Sequence, residues 1–164
     1  NEISWFDWGL LDGYSELHRF CKEMIAFRKA NPVLQRNTFF RGQDPGHAAE
    51  TADLLWFDTE NSIKETGTSH GASINWISSQ TSLACRIHPM ENHDVGLCFL
   101  FNSSDHEAVF QPPEGRWFCR INTAHPSPDD IVPLADAAPT ITGDVTLVPK
   151  SLVVLTSVPK YRIG

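Results

Sequence analysis

What the sequence lacks narrows the field first. No run of 18 apolar residues occurs, so no helical segment is long enough to span a bilayer. Positive charge is scarce: 13 Lys and Arg against 20 Asp and Glu leave a formal charge of −7. Nucleic-acid backbones and anionic membrane surfaces select basic faces, so neither is an expected partner. There is no CxxC pair among the four cysteines, Cys21, Cys85, Cys98 and Cys119. Three of them sit in apolar, strand-like runs, where a thiol behaves as a small buried hydrophobe. With 41% hydrophobic residues the core needs no disulfide staples, and a reduced, cytoplasmic protein is expected. The first residue is Asn1, not Met, and no basic-then-apolar leader pattern follows. The chain is therefore expected to begin mid-protein, as a processed product or a cut piece.

Metal ligation also lacks its signature. The seven histidines are scattered, and the nearest pair, His88 and His93, straddles Pro89. Zinc takes three or four ligands, usually with two close together on a rigid element. Neither a metal nor a cofactor is expected.

What is present falls into two patterns. Leu17, Phe20, Cys21, Met24, Ile25 and Phe27 recur at helical spacing and give a helix one wide apolar stripe. Ser15 or Asp12 is the expected cap, and Arg28 and Lys29 suit the negative end of the dipole. Pro32 pushes Asn31 out of helical geometry and ends the helix. Beyond about residue 39 the period becomes two. Strands are predicted over 54–57, 81–88, 95–101, 107–111, 117–122, 145–148 and 151–156, separated by turns rich in Pro, Gly, Asn and Asp. In one of them Trp117, Cys119 and Ile121 are expected on one face, opposite Phe118, Arg120 and Asn122. The fold class is mainly β, an antiparallel β-sandwich preceded by one α-helix. Residues 59–80 and 124–144 exceed ordinary loop length and match neither pattern.

Several constellations could carry chemistry, and each has a plainer reading. Gly67-Thr68-Ser69-His70-Gly71 matches a nucleophile elbow letter for letter. That motif needs a buried strand before it and a helix after it, and the flanks here supply neither. Glu2 and Asp7, beside Trp5 and Trp8, are the best candidates for a glycosidase-type carboxylate pair. Most carboxylates stay solvated, so an acidic loop is the simpler account. Trp56 and Trp117, in strands, are expected in the core, whereas Trp76 is undecided. Asn102-Ser103-Ser104 reads as a glycosylation acceptor, which matters only in a secreted protein.

The stretch Asn1-Glu2-Ile3-Ser4-Trp5-Phe6-Asp7-Trp8 resembles a segment of bacterial glycogen debranching enzymes, isoamylase-like members of the α-amylase superfamily. The likeness continues through Ile25-Ala26-Phe27-Arg28-Lys29-Ala30-Asn31-Pro32-Val33-Leu34, with Phe27 and Asn31 as departures from the family's usual Leu and His. Phe39-Phe40-Arg41-Gly42, Asp53-Leu54-Leu55-Trp56, the strand from Trp117 to Thr123 and Ser151-Leu152-Val153-Val154-Leu155 extend it over nearly the whole chain. Asn122 replaces the family's acid, and Asn75-Trp76 only loosely matches its Asp-Trp. The resemblance implies that residues 1–36 are the tail of a TIM barrel, its last βα loop and final helix. Residues 37–164 would be the C-terminal sandwich. The family's catalytic carboxylates would lie on strands absent from this sequence, so no catalytic residue is assigned. Asn1, Glu2 and Trp5 would border the glucan cleft, since barrel sites lie in the loops after the strands. An α-glucan polysaccharide, met through the barrel, would be the partner; the oligomeric state is open. A glucan-binding module and a purely structural or interaction domain are the competing readings. Retention on glucan separates the former from the rest, and restoring the barrel separates an enzyme piece from a structural domain.

The elbow match generates a prediction. A fluorophosphonate probe is expected to leave Ser69 unlabelled, and rapid labelling abolished by Ser69→Ala would show the motif to be active.

Overall fold

The structure is a computed structural model and describes residues 4–5, 7–42, 52–59, 81–89 and 95–158. A one-turn helix α1 (Leu10–Gly13) runs through Tyr14 into α2 (Ser15–Ala30), and a short 3-10 turn follows (Pro32–Gln35). Seven strands come next: β1 (Leu54–Phe57), β2 (Ser82–Ile87), β3 (Leu97–Asn102), β4 (Ala108–Phe110), β5 (Trp117–Asn122), β6 (Val145–Leu147) and β7 (Ser151–Ser157). Five form one sheet in the order β1-β2-β3-β7-β5, and β4 pairs with β6 in a second. Every pairing is antiparallel. The mainly antiparallel β architecture with few helices agrees with the fold class read from the sequence.

The large sheet is apolar on both faces because both are covered. Between the sheets Phe57, Leu100, Phe110, Trp117, Leu147 and Leu155 form one core. On the opposite face Ile87, Leu97, Ile121 and Val154 meet Phe20, Met24 and Phe27 of α2, with Val33 and Ile131 alongside. The order is therefore helix, five-stranded sheet, two-stranded sheet. This arrangement explains why Leu97-Cys98-Phe99-Leu100-Phe101 is continuously apolar and not alternating.

Four expectations need correction. Neither Ser15 nor Asp12 caps α2. Its N-cap is Tyr14, with no side-chain cap bond, because α1 already supplies carbonyls and the His18 N–H donates to the Tyr14 carbonyl at 2.9 Å. Ile121 does not share a face with Trp117 and Cys119. A register shift between Cys119 and Ile121 on β7 leaves Arg120 as an extra residue, and such a bulge inverts the side-chain parity beyond it. Cys119 thus faces the inter-sheet core and Ile121 the helix. Trp56 is only half-buried, since β1 is the outermost strand of its sheet, whereas Trp117 is buried and its indole N–H donates to the Pro113 carbonyl at 2.7 Å.

The fourth concerns residues 124–144, which fit no period yet have a definite course. They run along the free edge of β5 as a strap. The Cys119, Asn122 and Ile141 amides donate to Pro139, Asp130 and Trp117 carbonyls, and the Val132 amide donates to Arg120, at 2.8–2.9 Å. An exposed edge would otherwise present unpaired groups to other chains. Their backbone bonds go to a strand edge instead of to a ladder of their own, which is why no period shows in the sequence. Residues 60–80, including the Gly67–Gly71 motif and Trp76, lie outside the described residues, as does His93.

Asn102, the acceptor-like asparagine, is buried and fully engaged. Its Nδ2 donates to the carbonyls of His106 at 2.8 Å, Val148 at 3.0 Å and Leu147 at 3.2 Å, while Oδ1 accepts from the Ser104 amide and hydroxyl. One amide thus ties the end of β3 to the end of β6, across the two sheets. Asn102→Ala is expected to cost about 3 kcal/mol, as several buried carbonyls lose their donor. Asn102→Asp, which turns oxygen towards three carbonyls, is expected to cost more. Urea unfolding of the two variants checks the order.

Candidate functional site

The N-terminal segment carries the sequence-predicted site, and its local geometry follows from Asp7. The Gly9 amide donates to Asp7 Oδ1 at 2.9 Å, and the Leu10 and Leu11 amides donate to the Asp7 and Trp8 carbonyls at 3.2 and 3.1 Å. Asp7 so closes a turn leading into α1, whose N-cap is Gly9 and carries no side-chain cap bond. Trp5 and Trp8 are 72% and 75% exposed, which places their rings on the surface of this chain. Asn1 and Glu2 lie outside the described residues. The structure thus locates Trp5 alone of the three predicted cleft residues, and shows Asp7 engaged with backbone amides.

The exposed rings continue into an apolar surface that the sequence pattern did not separate out. The wide stripe of α2 divides in two. Phe20, Met24 and Phe27 pack on the sheet, whereas Leu17 and Ile25 are more than half exposed and Cys21 is exposed. With Tyr14, Leu10 and Leu11 these exposed side chains lie along a flank of the helical segment about a quarter turn from the sheet-facing half. Contiguous exposed apolar area is a common mark of interaction surfaces in soluble proteins. The signal in the sequence was the width of the stripe itself, broader than one sheet face can bury.

A cleft of about 580 Å³ opens between α2, β5 and the strap. Its polar groups are largely committed within the chain. Arg19 pairs with Asp130 and donates from Nε to Ser127 Oγ at 3.1 Å. The Arg120 guanidinium donates to the Pro133 and Asp136 carbonyls at 3.0 Å, and Asn122 Nδ2 lies 3.1 Å from His125 Nε2. Burial pulls the Arg120 guanidinium down from its ordinary value, opposed by the nearby Asp136. The cleft therefore serves as a joint more than as a reaction site. Among the described residues no group of three or more His, Cys, Asp or Glu side chains is placed to hold a metal ion. No helix among them is long and apolar enough to cross a membrane.

The four cysteines are free. Burial pushes the Cys85 thiol up to about 12 and raises those of Cys98 and Cys119. A thiol so raised is inert at neutral pH.

No family model matches the chain. Curated relatives do. The glycogen operon protein GlgX homologs of Mycobacterium bovis and Mycobacterium tuberculosis are each 26% identical over 164 residues, covering 94% of this chain and 22% of theirs. The chain resembles a C-terminal portion of bacterial glycogen debranching enzymes. It spans only about a fifth of the length of those relatives. Among solved structures, a pullulanase from Bacillus acidopullulyticus superposes with a TM-score of 0.59 over 95% of this chain and 15% of its own, at 15% identity. That likeness concerns the fold alone.

One clasp joins the helical region to the sheet at the other end of α2. The Arg41 and Gly42 amides donate to Asp53 Oδ1 at 3.0 and 2.9 Å, and Arg36 meets Oδ2 at 2.8 Å. Arg36 also stacks over Phe40, 4.4 Å from the ring centroid. Burial pushes the Asp53 carboxyl up, but the two amides and Arg36 outweigh it and hold it below its ordinary value. A carboxyl with a depressed folded pKa stabilises the fold above its unfolded value of about 3.9, and the gain fades as pH falls through the folded value. The stability difference between the wild-type chain and Asp53→Asn is therefore expected to be full above about pH 4 and to shrink as the pH is lowered further. Denaturant titrations along the acid limb measure it.

Proposed function

We propose that the chain is the C-terminal part of a glycoside hydrolase that cleaves α-1,6-glucosidic branch links in glycogen-type glucans, and that it has no turnover alone. The observation that carries this reading is the likeness to the mycobacterial GlgX homologs across nearly the whole chain. The exposed half of the α2 stripe supports it, because a helix with apolar residues on two flanks suits a place between two bodies. On this reading residues 1–36 are the tail of the catalytic barrel and residues 37–164 the sandwich. The barrel covers Leu17, Cys21 and Ile25. Asn1, Glu2 and Trp5 border the glucan cleft, and the parent works in the cytoplasm. Four free cysteines, two of them buried, are compatible with a reducing compartment.

Geometry among the described residues supports the absence of turnover. Glycosidic cleavage takes two carboxyl groups held about 5–9 Å apart on either side of the scissile bond. Holding such a pair takes rigid supporting elements around both groups. Among the described residues, Asp7 accepts from the Gly9 amide, Asp53 is clasped by Arg36, and Asp130 pairs with Arg19. A reducing-sugar assay with glycogen or amylopectin is expected to show no turnover by the purified chain. Turnover that survives repurification and disappears in Glu2→Gln would overturn this. Retention of the chain on immobilised glucan without turnover would favour a binding module instead.

A further inference from the structure

We propose that the apolar groove at the end of α2 is the seat of the chain's own last residues, with Tyr161 and Ile163 filling it. The groove has a volume of about 400 Å³ and opens between the end of α2, the strap and the end of β7. Phe27, Val95, Phe118, Leu134 and Val158 supply its apolar walls. Leu134 is 44% exposed and Val158 39%, so two large aliphatic side chains of the wall stand open to water. Burying such side chains is favourable in proportion to the apolar area covered.

The choice of occupant follows from where the chain goes next. Val158 is the last described residue, and it belongs to the wall. The point of departure is held in place. The Ser157 amide donates to the Gly96 carbonyl at 2.9 Å, and Ser157 Oγ accepts from the Gly96 amide at 2.8 Å. β7 lies between β3 and β5, and a proline such as Pro159 cannot continue a strand paired on both sides. Residues 159–164, Pro-Lys-Tyr-Arg-Ile-Gly, lie outside the described residues. Extended, they reach about 20 Å, which is ample for a groove that begins at their own root.

Their sequence suits the walls. Side chains two apart share one side of an extended segment, so Tyr161 and Ile163 would face the groove together and Lys160 and Arg162 the water. A buried phenol needs a hydrogen-bond partner, and the lining offers Asn31 and Thr156. Asp136, exposed in the strap between Leu134 and Ala137, sets an opposite charge at the rim for Lys160 or Arg162. An exposed pair of that kind contributes little. The tether contributes more, because a short link gives the occupant an effective concentration in the millimolar range. A modest apolar contact is then enough to close the groove. The proposal does not rest on the reading of the parent given above, since the groove lies at the other end of α2 from Tyr14 and Leu17.

Leu134 reports on the groove. In a Cys21→Ser background, which removes the exposed thiol, Leu134→Cys is expected to be labelled several-fold faster when the chain is ended after Val158. Tyr161→Ala with Ile163→Ser keeps length and charge, is expected to give the same rise, and serves should the shortened chain fail to fold. Val109→Cys, exposed on β4 of the other sheet, is expected to keep its rate throughout. In the wild-type chain the Tyr161 ring is expected to show NOEs to the Leu134 and Val158 methyls. Equal labelling with and without the two apolar side chains would overturn the proposal, as would the absence of those NOEs. A rise at both engineered thiols would count against it too, because it signifies general loosening. Protection of Leu134→Cys that fades on dilution would put a second copy in the groove and rule the tail out.

Discussion

The five-stranded sheet is apolar on both faces, and the rest of the structure answers to that constraint. A face left to water would forfeit about 25 cal/mol for each square ångström of apolar surface exposed. One face is closed by β4 and β6, each of only three residues, which bring Ala108, Phe110, Val145 and Leu147 over the sheet. The other is closed by α2 together with Val33 and Ile131. The helix thus contributes side chains to the core on that face of the sheet. Asn102 and the Asp53 clasp act at the margins of these layers, where hydrogen-bonded backbone and side-chain groups hold elements that apolar contact alone would let slide.

The bulge at Arg120 shows how one residue can serve both faces. Before it, β5 sends Trp117 and Cys119 into the inter-sheet core; after it, Ile121 enters the core under the helix. The extra residue turns a guanidinium towards the strap, where it meets the Pro133 and Asp136 carbonyls. The same irregularity that shifts the face therefore anchors the segment that covers the strand's edge, and that segment in turn holds Arg19. Strand, strap and helix form one connected set of contacts.

Much of this was legible in the sequence, and the parts that were not share a cause. The strands and the stop at Asn31-Pro32 were readable because period and proline act locally. The parity change at Arg120 was not, since a bulge leaves the alternation of residue types intact while inverting what it means. Residues 124–144 looked unassignable because their bonds go to another element's edge. Asn102 looked like a modification site because a short motif carries no information about what surrounds its amide. At the candidate site, the composition of the N-terminal loop pointed to aromatic and acidic side chains, but only coordinates show Trp5 on the surface and Asp7 spent on Gly9.

The divided stripe of α2 bears on how a domain of this kind is joined to a neighbour. A flexible linker leaves relative motion as the default between two bodies. A helix buried on one flank by its own sheet cannot swing freely, so whatever covers its other flank inherits the sheet's orientation. The two flanks of α2 are about a quarter turn apart. Rigid transmission therefore requires that the helix be held against rolling, and apolar contact is poorly suited to that task. Directional bonds on the far flank are suited to it, and Arg19 makes such bonds to Ser127 and Asp130.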